Sequence, residues 1–173
     1  MNEMNLTYRE ATVLDAPSIV QQIIESTDEP HPGEEFIEAR TKRWKGYIEG
    51  THTPRSGKGK ERKELRVIYL AFDLDTLVGH VAAHHCTEDG LSELQSIYVH
   101  REYHRKGIGT ALLHMAVDWL VSTGIKSMMV GFWEDNPYQQ FYLKYGGVKT
   151  RPHRCDWHDL SQLQSLSMNR LLG

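Results

Sequence analysis

Cysteine is scarce in this chain. Its two cysteines, Cys86 and Cys155, make neither a disulfide framework nor a paired Cys-x-x-Cys metal knuckle, and they suit a reducing compartment. An uninterrupted apolar run of about 18 residues is absent as well, so no segment reads as a membrane span. The opening Met-Asn-Glu-Met-Asn-Leu lacks both the basic and the apolar stretch of a secretory leader, and a cytoplasmic location is the expectation. Charge of one sign is not in excess: 20 Lys and Arg against 23 Asp and Glu leave a net charge of −3. That balance points to no nucleic-acid partner and no anionic membrane. Internal repeats and low-complexity tracts are missing too. What remains, 39% apolar and 25% charged residues, is the balance of one soluble domain over 1–173, long enough for a real core and short for two.

Apolar periodicity predicts short strands alternating with helices. Leu6 to Ala11 reads as an opening strand. Asp15 caps a helix with Pro17 in its first turn and an apolar stripe of Ile19, Val20, Ile23 and Ile24. A second helix over 34–49 sets Phe36, Ile37, Arg40, Trp44, Tyr47 and Ile48 near one face, and Gly50 ends it. Residues 51–63 read as a flexible, basic, solvated loop within the domain. Strands at 65–72 and 77–86 form a hairpin, and Glu88-Asp-Gly90 turns into a third strand at 91–99. A helix over about 107–122, a buried strand at 125–132 and a helix from Asn136-Pro137 to Gly146 follow. Only Val148 to His158, interrupted by Pro152, is left for further strands before Asp159 caps a last helix. Two strands there are either very short or one is missing, and a second copy in a homodimer would then cover the open edge. Strands 91–99 and 125–132 are joined by a helix and should be parallel neighbours. The fold class is α/β (α+β), a mixed sheet with helices on both faces.

The most informative stretch is Ser92-Glu-Leu-Gln-Ser-Ile-Tyr-Val-His-Arg-Glu-Tyr-His-Arg-Lys-Gly-Ile-Gly-Thr110. It runs from a strand through a glycine-rich turn into a helix, which delivers unpaired backbone N–H groups and a helix dipole to one point. Glycines at 107 and 109 leave room for an oxyanion to approach. No Gly-Lys-Ser/Thr follows, so the cradle suits a diphosphate that is held and not hydrolysed.

Downstream stands Asp135-Asn-Pro-Tyr-Gln-Gln-Phe-Tyr-Leu-Lys-Tyr-Gly-Gly147. The two stretches together resemble the GNAT superfamily of acyl-CoA-dependent N-acyltransferases, over about residues 65 to 147. Its pyrophosphate loop follows Arg/Gln-x-x-Gly-x-Gly/Ala, and His104 stands here at the Arg/Gln position. The resemblance implies a mostly antiparallel sheet in which the parallel strands 91–99 and 125–132 splay, exposing backbone groups to the pantetheine arm. It also implies acetyl-CoA as cosubstrate. Its contacts would be Ile97, Tyr98 and Val99 on the strand, His104, Arg105, Lys106, Gly107, Ile108, Gly109 and Thr110 in the turn, and Asn136 and Tyr142 beyond.

N-acylation needs a deprotonated amine and a proton donor for the departing thiolate. The resemblance places Glu93 at the position of a base, acting through a water, with a solvated strand-end Glu as the plain alternative. Period-two geometry puts Glu93, Gln95, Ile97 and Val99 on one strand face. The resemblance likewise puts the Tyr142 hydroxyl near the thioester sulfur; a buried Tyr beside Phe141 is the alternative. Asn136 suits a helix cap as well as a ligand contact. Among ten histidines, His80 and His84 share a strand face and His85 opposes them, without a metal-binding pattern, so no metal is expected. Phe36, Arg40, Trp44 and Tyr47 are candidates for the acceptor pocket, though such spacing also describes core. The leading reading is an acetyl-CoA-dependent N-acetyltransferase acting on a primary amine of a small molecule or peptide. The alternative is a non-catalytic acyl-CoA-binding sensor.

Overall fold

A computed structural model describes residues 4–26, 30–51, 64–86, 92–133 and 135–164. Strand β1 (Leu6–Glu10) leads through a 3-10 turn at Val13–Asp15 into helices α1 (Ala16–Glu25) and α2 (Glu34–Glu49). Strands β2 (Glu64–Asp73), β3 (Thr76–Cys86) and β4 (Ser92–Val99) follow, then helix α3 (Ile108–Ser122) and strand β5 (Met128–Gly131). Helix α4 (Gln139–Lys144) precedes β6 (Val148–Arg151) and β7 (Arg154–Trp157). The described strands form one seven-stranded sheet in the order β1-β2-β3-β4-β5-β7-β6. Every neighbouring pair is antiparallel except β4 and β5.

Apolar stripes decide the layers. Leu112, Leu113, Ala116, Val117 and Leu120 of α3 pack on Val81, Ala83 and Leu94 beneath one face of the sheet. On the other face, Ile19, Val20 and Ile23 of α1 and Trp44 of α2 cover Ile68, Leu70 and Ala82. Each helix thus buries one side against a sheet that is apolar on both. Among the described residues, no helix is long and apolar enough to cross a membrane.

The first corner uses Asp15 differently from a helix cap. Its carboxylate accepts the Thr12 N–H at 2.7 Å and the Thr12 hydroxyl at 2.9 Å, and it pairs with both arms of Arg9 at 2.8 and 2.7 Å. Asp15 occupies the cap position of α1, but its side chain locks the preceding 3-10 turn. The Arg9 hydrogen bond, followed by the Thr12 bonds and working against burial, holds the carboxyl down at about 2 from an ordinary 3.8. A depressed carboxylate adds stability above its unfolded pKa and loses it as pH falls through the folded one. Asp15→Asn is therefore expected to lower stability at pH 7 by about 1 kcal/mol. Urea melts should show the gap to wild type closing as pH drops from about 4 to 2; equal midpoints at pH 7 would make this corner neutral.

The expected strand at 125–132 is shortened to Met128–Gly131. The Ile125 N–H bonds the Leu120 carbonyl at 3.0 Å to close α3, the Lys126 carbonyl accepts from Leu160 N–H at 2.8 Å, and the Phe132 N–H donates to the His153 carbonyl at 3.0 Å. Both late strands exist, at four residues each. The later one inserts between β5 and β6, so the chain supplies its own cover for β5. Gly147 makes this closure fit: a Cβ there would stand 2.8 Å from Trp157 Cζ2 and 2.9 Å from the Tyr142 carbonyl. Trp157 in turn donates its indole N–H to the Tyr145 carbonyl at 2.9 Å, tying α4 to the sheet. Asp159 Oδ1 accepts the Ser161 N–H at 3.0 Å, capping a turn of helix at 161–164. Beyond Thr51 the expected basic loop, the turn at Glu88-Asp-Gly90 and the rest of the last helix lie outside the described residues.

Candidate active site

The cleft exists because two parallel strands part. Strands β4 and β5 pair at one position, Glu93 with Met129. From there β4 continues to Val99 while β5 follows its antiparallel partner β7. A gap opens, and backbone groups of β4 face it with no strand alongside among the described residues.

A bulge sets which side chains look into the gap. Across β3, Ala82 pairs with Ser96 and Ala83 with Leu94, so Gln95 is an extra residue. One extra residue reverses the alternation beyond it. This corrects the period-two expectation that Glu93, Gln95, Ile97 and Val99 share a face. Gln95, whose side chain accepts from Arg66, lies with Glu93, Ser96 and Tyr98 on the α1/α2 side. Ile97 and Val99 lie on the α3 side, packed against its core.

The turn before α3 takes an unusual backbone path. Arg105 has φ +60° and Gly107 φ +86°. Such φ values are strained for a side-chain-bearing residue and easy for glycine. The first intrahelical bond, from Ala111 N–H to the Gly107 carbonyl, is 3.0 Å long. The N–H groups of Ile108, Gly109 and Thr110 precede it, and among the described residues no side chain caps this end. Gly109 keeps the passage beside it open: a Cβ would lie 3.6 Å from both Phe141 and Val99 side chains. His104 does not reach outward as an Arg would. Its Nε2 lies 2.8 Å from the Val99 carbonyl, so the ring N–H pins the turn to the end of β4.

The far wall is aromatic. Tyr142 is 7% exposed, stacked on Phe132 at 5.7 Å and met edge-on by Phe141 at 5.7 Å and Trp157 at 6.1 Å. Burial pushes its phenol up to about 12, so the hydroxyl keeps its proton throughout the neutral range. Asn136 does not start α4, as the sequence suggests. Its Oδ1 accepts the Tyr138 N–H at 2.8 Å, and this turn occupies the chain until Gln139.

These elements enclose a cleft of about 920 Å³. Ile97, Tyr98, Val99, His104, Arg105, Gly107, Gly109, Thr110, Asn136 and Tyr142 all line it. Two expected ligand contacts do not: Ile108 is 1% exposed in the core, and the Lys106 ammonium sits 4.8 Å over the Tyr103 ring. Glu93 is also outside the lining, one bulge upstream. It belongs to a polar group in which His84 Nε2 is 3.4 Å from its carboxylate and Arg66 pairs with Glu64 at 3.0 Å. Burial raises the Glu93 carboxyl above its ordinary value; Arg66 and Arg154 oppose this and Glu64 adds to it. Burial, helped by Arg66 and His85, lowers His84 to about 4, so this imidazole is neutral at pH 7.

The α2 aromatics stay out of the cleft. Trp44 is buried beside Tyr47, Tyr47 carries the Arg66 guanidinium at 4.1 Å, and half-exposed Phe36 faces Arg40 at 5.3 Å. Lining residues that the sequence did not single out include Ser96 on β4, Phe132 and Trp133 just after β5, and Glu25 and Ser26 at the end of α1. Phe132 carries the signal of following a buried strand; Ser96 carries none without the bulge.

A mixed sheet split between its parallel strands, with a helix N-terminus at the mouth of the split, suits an elongated ligand bearing an anionic group. The model of the acetyltransferase (GNAT) family matches residues 20–146. The uncharacterized N-acetyltransferase YuaI of Bacillus subtilis (strain 168) is 36% identical over 90 residues, 45% of this chain and 51% of that protein. The chain thus spans about half the length of this curated relative. The fold matches the PaiA N-acetyltransferase of Thermoplasma acidophilum, solved with coenzyme A, with a TM-score of 0.62 and 21% identity over 88% of this chain and 97% of that one. It also matches a putative GNAT acetyltransferase of Desulfovibrio desulfuricans, with a TM-score of 0.65 and 17% identity over 90% and 99% of the two chains. The chain belongs to the acetyltransferase (GNAT) family.

Proposed function

We propose that this chain is an acetyl-CoA-dependent N-acetyltransferase that passes acetyl directly to a primary amine of a small molecule or peptide. One observation carries the reading: the N–H groups opening α3, the free edge of β4 and the Tyr142 ring all meet in a single cleft. That combination fits a ligand with a diphosphate, an amide-bearing arm and a reactive end. Acetyl-CoA supplies the acetyl group as a thioester, open to attack by a neutral amine. In this reading the N–H groups of Gly109 and Thr110, with Arg105, hold the diphosphate. The β4 edge at Ile97–Val99, with Asn136 across the cleft, receives the pantetheine arm. Tyr142 keeps a proton ready at its Oη for the sulfur. Cys155, buried and with its thiol pushed up chiefly by burial, is unsuited to an acyl relay, which favours direct transfer. A single domain in a cytoplasmic setting completes the proposal.

A screen of amines, following free-thiol release from acetyl-CoA, tests it. Release that depends on amine is the expected result; tight acetyl-CoA binding with no release for any amine would favour a sensor.

Glu93 is assigned the amine's proton, taken through a water that spans the bulge. Its raised pKa means that it accepts only above the ordinary carboxylate range, so activity should fall as pH drops through that value. Glu93→Gln is expected to cut turnover about 10- to 100-fold at pH 6 to 7, where little free amine exists. The loss should shrink as pH nears the acceptor's own pKa. A pH–rate profile parallel to that of wild type would leave Glu93 a structural partner of His84.

A further inference from the structure

Beneath α1, three hydrogen-bonding side chains run from the core to the cleft. They are Gln22 on α1, His80 on β3 and Ser96 on β4, the residue after the bulge. His80 Nδ1 lies 2.7 Å from Gln22 Oε1, and its Nε2 lies 3.3 Å from Ser96 Oγ. His80 is 0% exposed and Gln22 is 3% exposed. Tyr98 stacks on the imidazole at 5.2 Å, and Trp44 meets it edge-on at 5.5 Å, so the ring is held from two elements. Ser96 ends the row in the cleft wall, between Gln95 and Ile97.

The row has a direction. An amide oxygen only accepts, so the His80 proton sits on Nδ1. Burial brings the ring's pKa down to about 3, and the neutral ring has a bare Nε2. Nε2 therefore accepts the Ser96 O–H, and the serine turns only lone pairs toward the cleft. Packing does not require this row, because an aliphatic side chain would fill the place of Gln22 and spare its Nε2, which is buried without a partner among the described residues.

A primary amine attacking a carbonyl has two N–H bonds and one lone pair. One proton is lost to a base. If the other N–H is accepted by a fixed oxygen, the lone pair is left pointing one way. A secondary amine has one N–H and cannot serve both partners.

We infer that Ser96 Oγ accepts an N–H of the acceptor amine, with His80 and Gln22 as positioning residues that keep this oxygen an acceptor, and that the row selects primary over secondary amines. The inference rests on the acetyltransferase reading and adds a specificity residue to it.

Two measurements test it. Long-range 1H–15N NMR of the imidazoles, read without any ligand, should show His80 as the Nδ1–H tautomer; the Nε2–H tautomer overturns the inference. With the best amine from the screen, Ser96→Ala should lower kcat/KM about 10- to 100-fold and shrink the preference for that amine over its N-methyl derivative. Acetyl-CoA affinity by calorimetry should stay the same, and Ser96→Thr should restore activity. Gln22→Met should act in the same direction, and the double variant should be no worse than Ser96→Ala alone, because both changes remove one effect. Undiminished kcat/KM in Ser96→Ala, or losses that simply add, would reduce the row to core hydrogen bonds and overturn this inference alone. A folded wild type that binds acetyl-CoA and releases no thiol with any of the amines overturns both readings.

Discussion

Gly109→Val is expected to weaken acetyl-CoA binding by about 100-fold or more, equivalent to about 3 kcal/mol, while the chain stays folded. Gly109 lies in the first turn of α3, and its missing side chain faces the passage between β4 and α4. A Cβ alone fits, at 3.6 Å from the Val99 and Phe141 side chains, which is ordinary contact. Because Gly109 lines the cleft, the two methyl groups beyond it are expected to compete with the ligand for the space beside the N–H groups of the same turn. The backbone there is helical, so the fold tolerates the change. Gly107 is a different case: its φ of +86° strains any other residue, whereas a Cβ would meet nothing within 4 Å. Substitution at 107 therefore mixes a local folding cost of about 1 kcal/mol with the loss of binding, and 109 gives the cleaner experiment. Calorimetry with CoA and a thermal melt check it together. Unchanged affinity in a folded Gly109→Val variant would remove the basis for placing a ligand in this cleft.

Tyr142→Phe is expected to lower kcat on the order of 100-fold with acetyl-CoA affinity unchanged. The ring stays in its packing against Phe132, Phe141 and Trp157, so stability changes little. What is lost is one hydroxyl whose proton is available across the neutral range, because burial holds the phenol at about 12. A group needed only as the sulfur departs appears in kcat and kcat/KM alike, not in binding. Equal turnover with an acceptor for which chemistry limits the rate would make Tyr142 a packing residue.

Much of the local architecture is legible in the chain because its causes are local. Helix 34–49 follows from its apolar spacing and Gly50, and the 105–110 turn from its two glycines at a helix start. The hairpin of β2 and β3 follows from alternation around a short polar turn. The late strands are harder to read, since four residues carry too little pattern to reveal that β7 enters between β5 and β6. Asp15 and Asn136 look like helix caps, and each is instead taken up by a turn beside the helix, through partners that geometry brings within reach.

The sequence by itself determined which chemical groups this protein has: the N–H groups of a glycine-led helix start, one Tyr on the later helix, a carboxylate on β4 and a His on β3. The tertiary structure alone decided which of them meet. The cleft exists where β4 and β5 part after one paired position, while β7 pairs β5 along its other edge. The facing of each β4 side chain depends on which residue opposes which across β3, and the single extra residue at Gln95 sends Ser96 toward His80 while turning Ile97 and Val99 to the opposite layer. Periodicity along one strand cannot reveal this, because a bulge is a property of two strands in register.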